Sequence, residues 1–221
     1  MNIRHYQKKK VNLFQGRIEV IFSYYFYRLS IDPLLSGVRK HISSLIEPNA
    51  TVADIGCGTG ELVLALSCKA KMVVGFDINS ELLKYASVRS KNLKLENVKF
   101  ISKDIINTNF FHEGHFDYAV FSMVLHQFSL EEASKILDLI KRTARYIILA
   151  DFMAPLPDSI FGFGAKLVEK VAGGQHYKNF KKYQNEGGLN YFLDKHKLSV
   201  EENQIGTLGV ITIIKSSPKI F

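Results

Sequence analysis

From Thr51 to Phe152, short apolar runs rich in β-branched residues alternate with longer stretches of helical periodicity, and this alternation constrains the fold more than any other feature of the chain. TVADIG (51–56), KMVVGFDI (71–78), VKFISKD (98–104), FDYAVFS (116–122) and RYIILADF (145–152) read as strands. Helices are predicted over 61–68, over 80–91 with Ser80 as N-cap, and from Leu130, where Ala133, Ile136, Leu137 and Ile140 follow at helical spacing behind Ser129. Strand, helix and strand repeated in this way demand parallel pairing, because each return to the same sheet edge needs a crossover. The strands are apolar almost throughout, as befits a sheet covered on both faces. The expectation is an α/β fold: a Rossmann-like, doubly wound sheet, mostly parallel. VEENQIGT and LGVITIIK near the end of the chain add a terminal antiparallel hairpin.

Ligands of such sheets bind outside the carboxyl ends of the strands, where the strand order reverses. The unusual residues fall there. Asp54, Gly56, Cys57, Gly58, Thr59 and Gly60 form a glycine-rich turn between the first strand and its helix, where glycine lets backbone approach a ligand closely. The spacing is not that of the dinucleotide fingerprint, and Asp54 precedes the first glycine, which suits a ligand with a cationic group better than a pyrophosphate. Asp77, at the end of the second strand and followed by Ile78, can accept from both hydroxyls of a ribose. Asp104, followed by Ile105, ends the third strand and can accept from an exocyclic amine. Each aspartate alone fits a turn or a helix cap. Three at successive strand ends beside a glycine turn point to a nucleoside.

With these motifs the chain resembles the class I S-adenosylmethionine-dependent methyltransferases, in the broad group of methyltransferase domain type 11 that includes the quinone C-methyltransferases. The resemblance covers residues 50–152 and the tail hairpin. It implies S-adenosylmethionine as cofactor, with the methionine part held by Asp54 and the turn from Gly56 to Gly60. Asp77 and Ile78 would meet the ribose, Asp104 and Ile105 the adenine, and Ser122 and Met123 would line the site after the fourth strand. MVLHQF (123–128) is similar to the family's active-site stretch. Its His126 is the best-placed candidate for a catalytic base, since an imidazole titrates near neutrality. The alternative is that it packs over the cofactor or caps the next helix.

Two regions lie outside this core. Residues 1–50 read as an N-terminal helical cover with aromatic residues including Tyr24 and Tyr27, and residues 51–221 as the methyltransferase domain. A segment over about 155–198, punctuated by Gly173-Gly174 and Gly187-Gly188, carries His176, Tyr177 and Tyr183. With Tyr24 and Tyr27 these are expected to wall the methyl acceptor. A small or lipidic molecule is therefore the expected substrate. RNA or protein is the weaker alternative, because FDYAVFS is followed by Met-Val-Leu and not by the Asn- or Asp-Pro-Pro-Tyr type of sequence of many amino-group methylases. A nucleoside-binding module without catalysis is the reading from another class.

Charge bears on the same choice. Residues 1–50 carry 8 basic and 3 acidic side chains, 51–154 carry 12 and 12, and 155–221 carry 9 and 6, giving the net +8. Basic flanks suit an anionic partner, yet no arginine cluster with interleaved aromatics accompanies them, so a solvated lysine surface is expected. No apolar run approaches the roughly 20 residues of a membrane-spanning helix. Two cysteines, Cys57 and Cys68, make neither a disulfide framework nor a zinc motif, and a cytoplasmic protein is expected. No metal is expected, since no cluster of acidic residues surrounds Asp151 in sequence.

Overall fold

In the computed structural model the described residues are 35–102, 104–105, 116–206 and 209–218. The chain divides into two compact units, Met1–Gly37 and Val38–Phe221, and the second carries the sheet. Tyr24, Tyr27 and most of the expected helical cover lie outside the described residues. Its last part is helix α1 (Ser36–Leu45), which buries Val38, Ile42 and Leu45.

Five strands follow close to their expected places: β1 (Thr51–Ile55), β2 (Met72–Asp77), β3 (Val98–Ser102), β4 (Phe116–Ser122) and β5 (Ala144–Phe152). They pair in parallel, and a hairpin of β6 (Leu198–Ile205) and β7 (Ile211–Pro218) completes a seven-stranded sheet of order β3-β2-β1-β4-β5-β7-β6. β7 runs antiparallel to β5, from Ile147 opposite Ser216 to Phe152 opposite Ile211. The order reverses between β1 and β4, so the crevice opens at their carboxyl ends. Val52, Ala53 and Ile55 of β1 and Ile147 to Ala150 of β5 are all fully buried, as central strands covered on both faces must be.

Helices α2 (Glu61–Leu66), α3 (Ser80–Asn92) and α4 (Leu130–Ile140) are the crossovers. α2 ends two residues earlier than expected. The N-cap of α3 is Asn79 and not Ser80: the Asn79 side chain accepts from the backbone N–H groups of Glu81 and Leu82, a role for which asparagine is among the best residues. α4 begins as its sequence predicts, with Ser129 and Glu132 closing a reciprocal capping box.

The segment after β5 folds as α5 (Ile160–Ala172), α6 (Gly174–Asn185) and α7 (Leu189–His196). Gly173, at φ 65°, separates α5 from α6 with no intervening loop. α6 is tied to the carboxyl end of the sheet by side chains. Asn179 donates to the carbonyl of Gln127 (2.7 Å), Tyr183 to that of Phe152 (2.8 Å) and Gln184 to that of Met153 (2.8 Å). No described helix is long and apolar enough to cross a membrane.

Candidate functional site

The glycine turn is built by close packing at both of its flanks. Gly56 and Cys57 both donate to the Phe76 carbonyl, at 2.8 and 3.0 Å, which pins the turn to the neighbouring strand. Gly75 in β2 leaves room for the Cys57 side chain, since a Cβ there would stand 2.7 Å from Sγ. Gly60 has φ 77°, and a Cβ would lie 2.8 Å from the Phe100 ring. A Cβ on Gly56 would meet Val124, so the turn after β1 abuts the chain leaving β4. Met123, in that chain, adopts φ 56° and donates to the Ala150 carbonyl at 2.8 Å. Ser122 is the last residue of β4, paired with Ala150.

Two carboxylates face this turn. Asp54 sits in mid-sheet between Gly75 and Val120 and is 2% exposed. Burial, and then the charge of Asp77, push its carboxyl up to about 7. Asp77 accepts from Gly58 N–H with one oxygen and from Asn79 N–H with the other, each at 2.8 Å. It holds the turn to α3 and keeps a lone pair on each oxygen for a ligand. Burial and both aspartates raise the Cys57 thiol far above its ordinary range, so it is a packed thiol and not a nucleophile. Thr59 is half-buried in the turn. Ile78 is 75% exposed just past β2, Asp104 is exposed, and Ile105 is buried. The expected cofactor residues thus stand along one edge of the sheet, at successive strand ends.

His126 lies in a single 3-10 turn (Leu125–Gln127) and is 2% exposed. Its Nδ1 is 2.6 Å from Oδ1 of Asp151, and its backbone N–H donates to Oδ2 at 3.3 Å. Asp151 is fully buried, and its Oδ1 also accepts from Phe152 N–H at 2.7 Å. On the other side of the ring, Nε2 is 3.6 Å from Oε1 of Glu169, a buried residue of α5. Oε2 of Glu169 hydrogen-bonds Nε2 of His176, on the first turn of α6. Burial alone would lower the His126 pKa, but the charge and hydrogen bond of Asp151, with the charge of Glu169, outweigh it and raise the pKa above its usual value. Both ring nitrogens are therefore turned to carboxylates.

Of the substrate residues expected in the last helices, His176 and Tyr183 both meet the His126 ring, and Tyr177 reaches it through Phe180. His176 is part-exposed and joins the His126 cluster with its ring centroid 5.6 Å away, edge-on. Tyr177 stacks on Phe180 at 6.4 Å. Tyr183 is buried, donates to Phe152 and has its hydroxyl pKa raised by burial and by the Asp151 charge. The sequence assigns no site role to Asp151 or Glu169. An acid at the penultimate position of β5 is the only signal the sequence offers for Asp151, and for Glu169 it offers none.

A family model for a methyltransferase domain matches residues 46–195. An "Uncharacterized RNA methyltransferase" of Mycoplasma mobile is 30% identical over 95 residues, which are 43% of this chain and 26% of that protein. The chain spans about a quarter of the length of the curated relatives it matches. Among solved structures, magnesium protoporphyrin IX methyltransferase from Synechocystis PCC 6803, determined with bound SAH, is similar with a TM-score of 0.63 at 18% identity, covering 96% of this chain and 100% of that one. A SAM-dependent methyltransferase from Aquifex aeolicus gives 0.59 at 17% identity, covering 81% and 89%. At these identities the likeness to both is one of fold.

Proposed function

The chain belongs to the methyltransferase domain family of class I enzymes, whose methyl donor is S-adenosylmethionine, and on that premise we propose that it methylates a small or lipidic acceptor. In this reading the methionine part of the cofactor lies along the turn from Gly56 to Gly60. Its ammonium is met by Asp54, directly or through water. Asp77 accepts from the ribose hydroxyls through the lone pairs that Gly58 and Asn79 leave unused. Asp104, Ile105 and the exposed side chain of Ile78 border the adenine. Ser122 and Met123 flank the sulfonium.

Methyl transfer is an in-line displacement. The acceptor atom bonds to the methyl carbon as the sulfur–carbon bond breaks, and the sulfonium leaves as a neutral thioether. The protein contributes chiefly by holding three atoms collinear in a dry site, a contribution that can reach about 7–11 kcal/mol for well-oriented reactants. His126 is not placed as a base open to the acceptor, because both its nitrogens are directed at Asp151 and Glu169. It supports the wall of the site instead.

The observation carrying the small-acceptor reading is that α6 is fastened across the ends of β4 and β5 by Asn179, Tyr183 and Gln184, and in this reading it forms a wall on the acceptor side of the crevice. The names of the Mycoplasma and Leptospira relatives favour RNA as a second reading. Those matches cover less than half of this chain. A cytoplasmic location belongs to the same proposal.

The test is transfer of labelled methyl from S-adenosylmethionine to a panel of small hydroxylated, aminated and quinone-like compounds, run beside total RNA and a protein extract. Turnover on a small compound is the expected result. Submicromolar RNA binding that weakens steeply with salt, with label appearing in RNA, would overturn it. Tight S-adenosylhomocysteine binding without turnover on any class would favour a binding module.

A further inference from the structure

We infer that His126, Glu169 and His176 form a binding site for one divalent transition-metal ion, with Asp151 as the residue that orients His126. The inference goes beyond methyl transfer and does not depend on the acceptor's identity. Their donor atoms, one from each side chain, all lie within 4.8 Å of one another. They arrive from three elements: the 3-10 turn after β4, the last turns of α5 and the first turn of α6. The α5–α6 break at Gly173 is what allows Glu169 and His176 to face each other, seven residues apart.

Several features suit a cation. Two carboxylates, Asp151 and Glu169, are buried together among Phe152, Phe180 and Tyr183, whose rings surround His126. Buried charge of one sign needs a partner. Two neutral imidazoles, two carboxylates and one dication sum to zero charge. Asp151 accepts from Nδ1 of His126, so Nε2, the nitrogen turned to Glu169, is the one that would give up any proton it holds and ligate the ion. A carboxylate behind a ligating histidine is the usual outer support of such a site.

The donor set selects the metal. Two imidazole nitrogens and one carboxylate suit zinc, at about 2.0–2.2 Å per bond, whereas calcium and magnesium favour oxygen donors. Tetrahedral ligands at those lengths stand about 3.3 Å apart. The Nε2 of His126 is 3.6 Å from Glu169 and all three donors lie within 4.8 Å, so sharing one ion draws the widest pair together by up to about 1.5 Å, within the reach of side-chain rotation. Three protein ligands leave one position for water or for an acceptor heteroatom. The site sits at the carboxyl ends of β4 and β5, the sheet edge that also carries the cofactor residues. The expectation of no metal looked for acids near Asp151 in sequence, whereas the fold brings one acid and two imidazoles from elsewhere.

The experiment uses the full chain, stripped with chelator, and titrates Zn²⁺ by calorimetry and Co²⁺ by visible spectroscopy. One equivalent of Zn²⁺ should bind with submicromolar affinity and raise the thermal midpoint, and Co²⁺ should give the d–d bands of a low-coordinate nitrogen and oxygen site. His176→Ala, at the exposed side of the cluster, and Glu169→Gln should each weaken Zn²⁺ by more than about tenfold, and Asp151→Asn by about 10- to 100-fold with stoichiometry kept. S-adenosylhomocysteine affinity should stay within about twofold in each, which separates this site from the cofactor's. The inference is overturned if folded wild-type protein takes up no stoichiometric metal, or if folded His176→Ala and Glu169→Gln bind Zn²⁺ as tightly as wild type.

Discussion

Replacing Asp77 by asparagine keeps the shape of the side chain and removes one of its two acceptor oxygens. In the native protein Oδ2 takes the Gly58 N–H and Oδ1 the Asn79 N–H, each at 2.8 Å. An asparagine serves only one of these, and its amide N–H₂ confronts the other. The glycine turn then loses a charge-assisted hydrogen bond, and a bound ribose loses an acceptor. A hydrogen bond to a charged group is worth about 1.5–3 kcal/mol, so S-adenosylhomocysteine should bind roughly ten- to a hundredfold more weakly. The loss of charge has a second effect. The Asp54 carboxyl stands at about 7 first because it is buried and then because Asp77 is charged. Removing that charge lowers the Asp54 pKa, while burial keeps it above 3.8. Calorimetric titration of S-adenosylhomocysteine into Asp77→Asn across a range of about pH 5 to 8 should therefore show weaker binding at every pH, with the acid-side midpoint shifted downward. A folded variant with native affinity refutes the ribose assignment. An unshifted midpoint refutes the coupling between the two carboxylates.

Four further outcomes follow from the structure. In the wild type, a cationic ligand prefers ionised Asp54, so cofactor affinity should fall as pH drops below about 7, approaching tenfold per pH unit; calorimetry showing a flat profile from pH 5 to 8 would contradict it. The same raised pKa means that the ligand-free folded chain holds the extra proton between 3.8 and about 7, so Asp54 favours the folded state at the acid end of that window and loses this contribution as pH rises through it. Gly60→Ala should abolish measurable cofactor binding and lower stability by about 1–3 kcal/mol in urea unfolding, because φ is 77° and the new Cβ meets Phe100 and Ala86. His196 is buried with Nδ1 on Asp138 and with Nε2 lacking a hydrogen-bond partner among the described residues, and burial lowers its pKa, helped by Lys141 and Lys195 against the opposing pull of Asp138. The folded chain then binds fewer protons than the unfolded one, so the stability it contributes is lost as pH falls below 6.5; in His196→Gln, thermal midpoints between pH 5 and 7 should lose that part of the acid dependence.

Local sequence determined the strands and crossovers, because their signals are short-range. FDYAVFS is β4 residue for residue, and Ser129 with Glu132 announces α4 three positions apart. The alignment of Asp54, Asp77 and Asp104 was legible for the same reason: in a parallel sheet every strand's carboxyl end faces one side, so strand assignments alone place the three on that side. The cap of α3 escaped by one residue because Asn79 and Ser80 are both good caps, and only backbone geometry chooses between them. Tertiary structure alone decided the rest. His126 and Asp151 are 25 residues apart and meet because β4 and β5 are neighbours. Glu169 and His176 reach them only because α5 and α6 fold back over those strand ends, and no periodicity within a helix says which neighbour its polar side chains will face. Tyr183 makes the same point: the sequence shows an aromatic residue on a glycine-bracketed segment, and only the packing of α6 sets its hydroxyl on the Phe152 carbonyl.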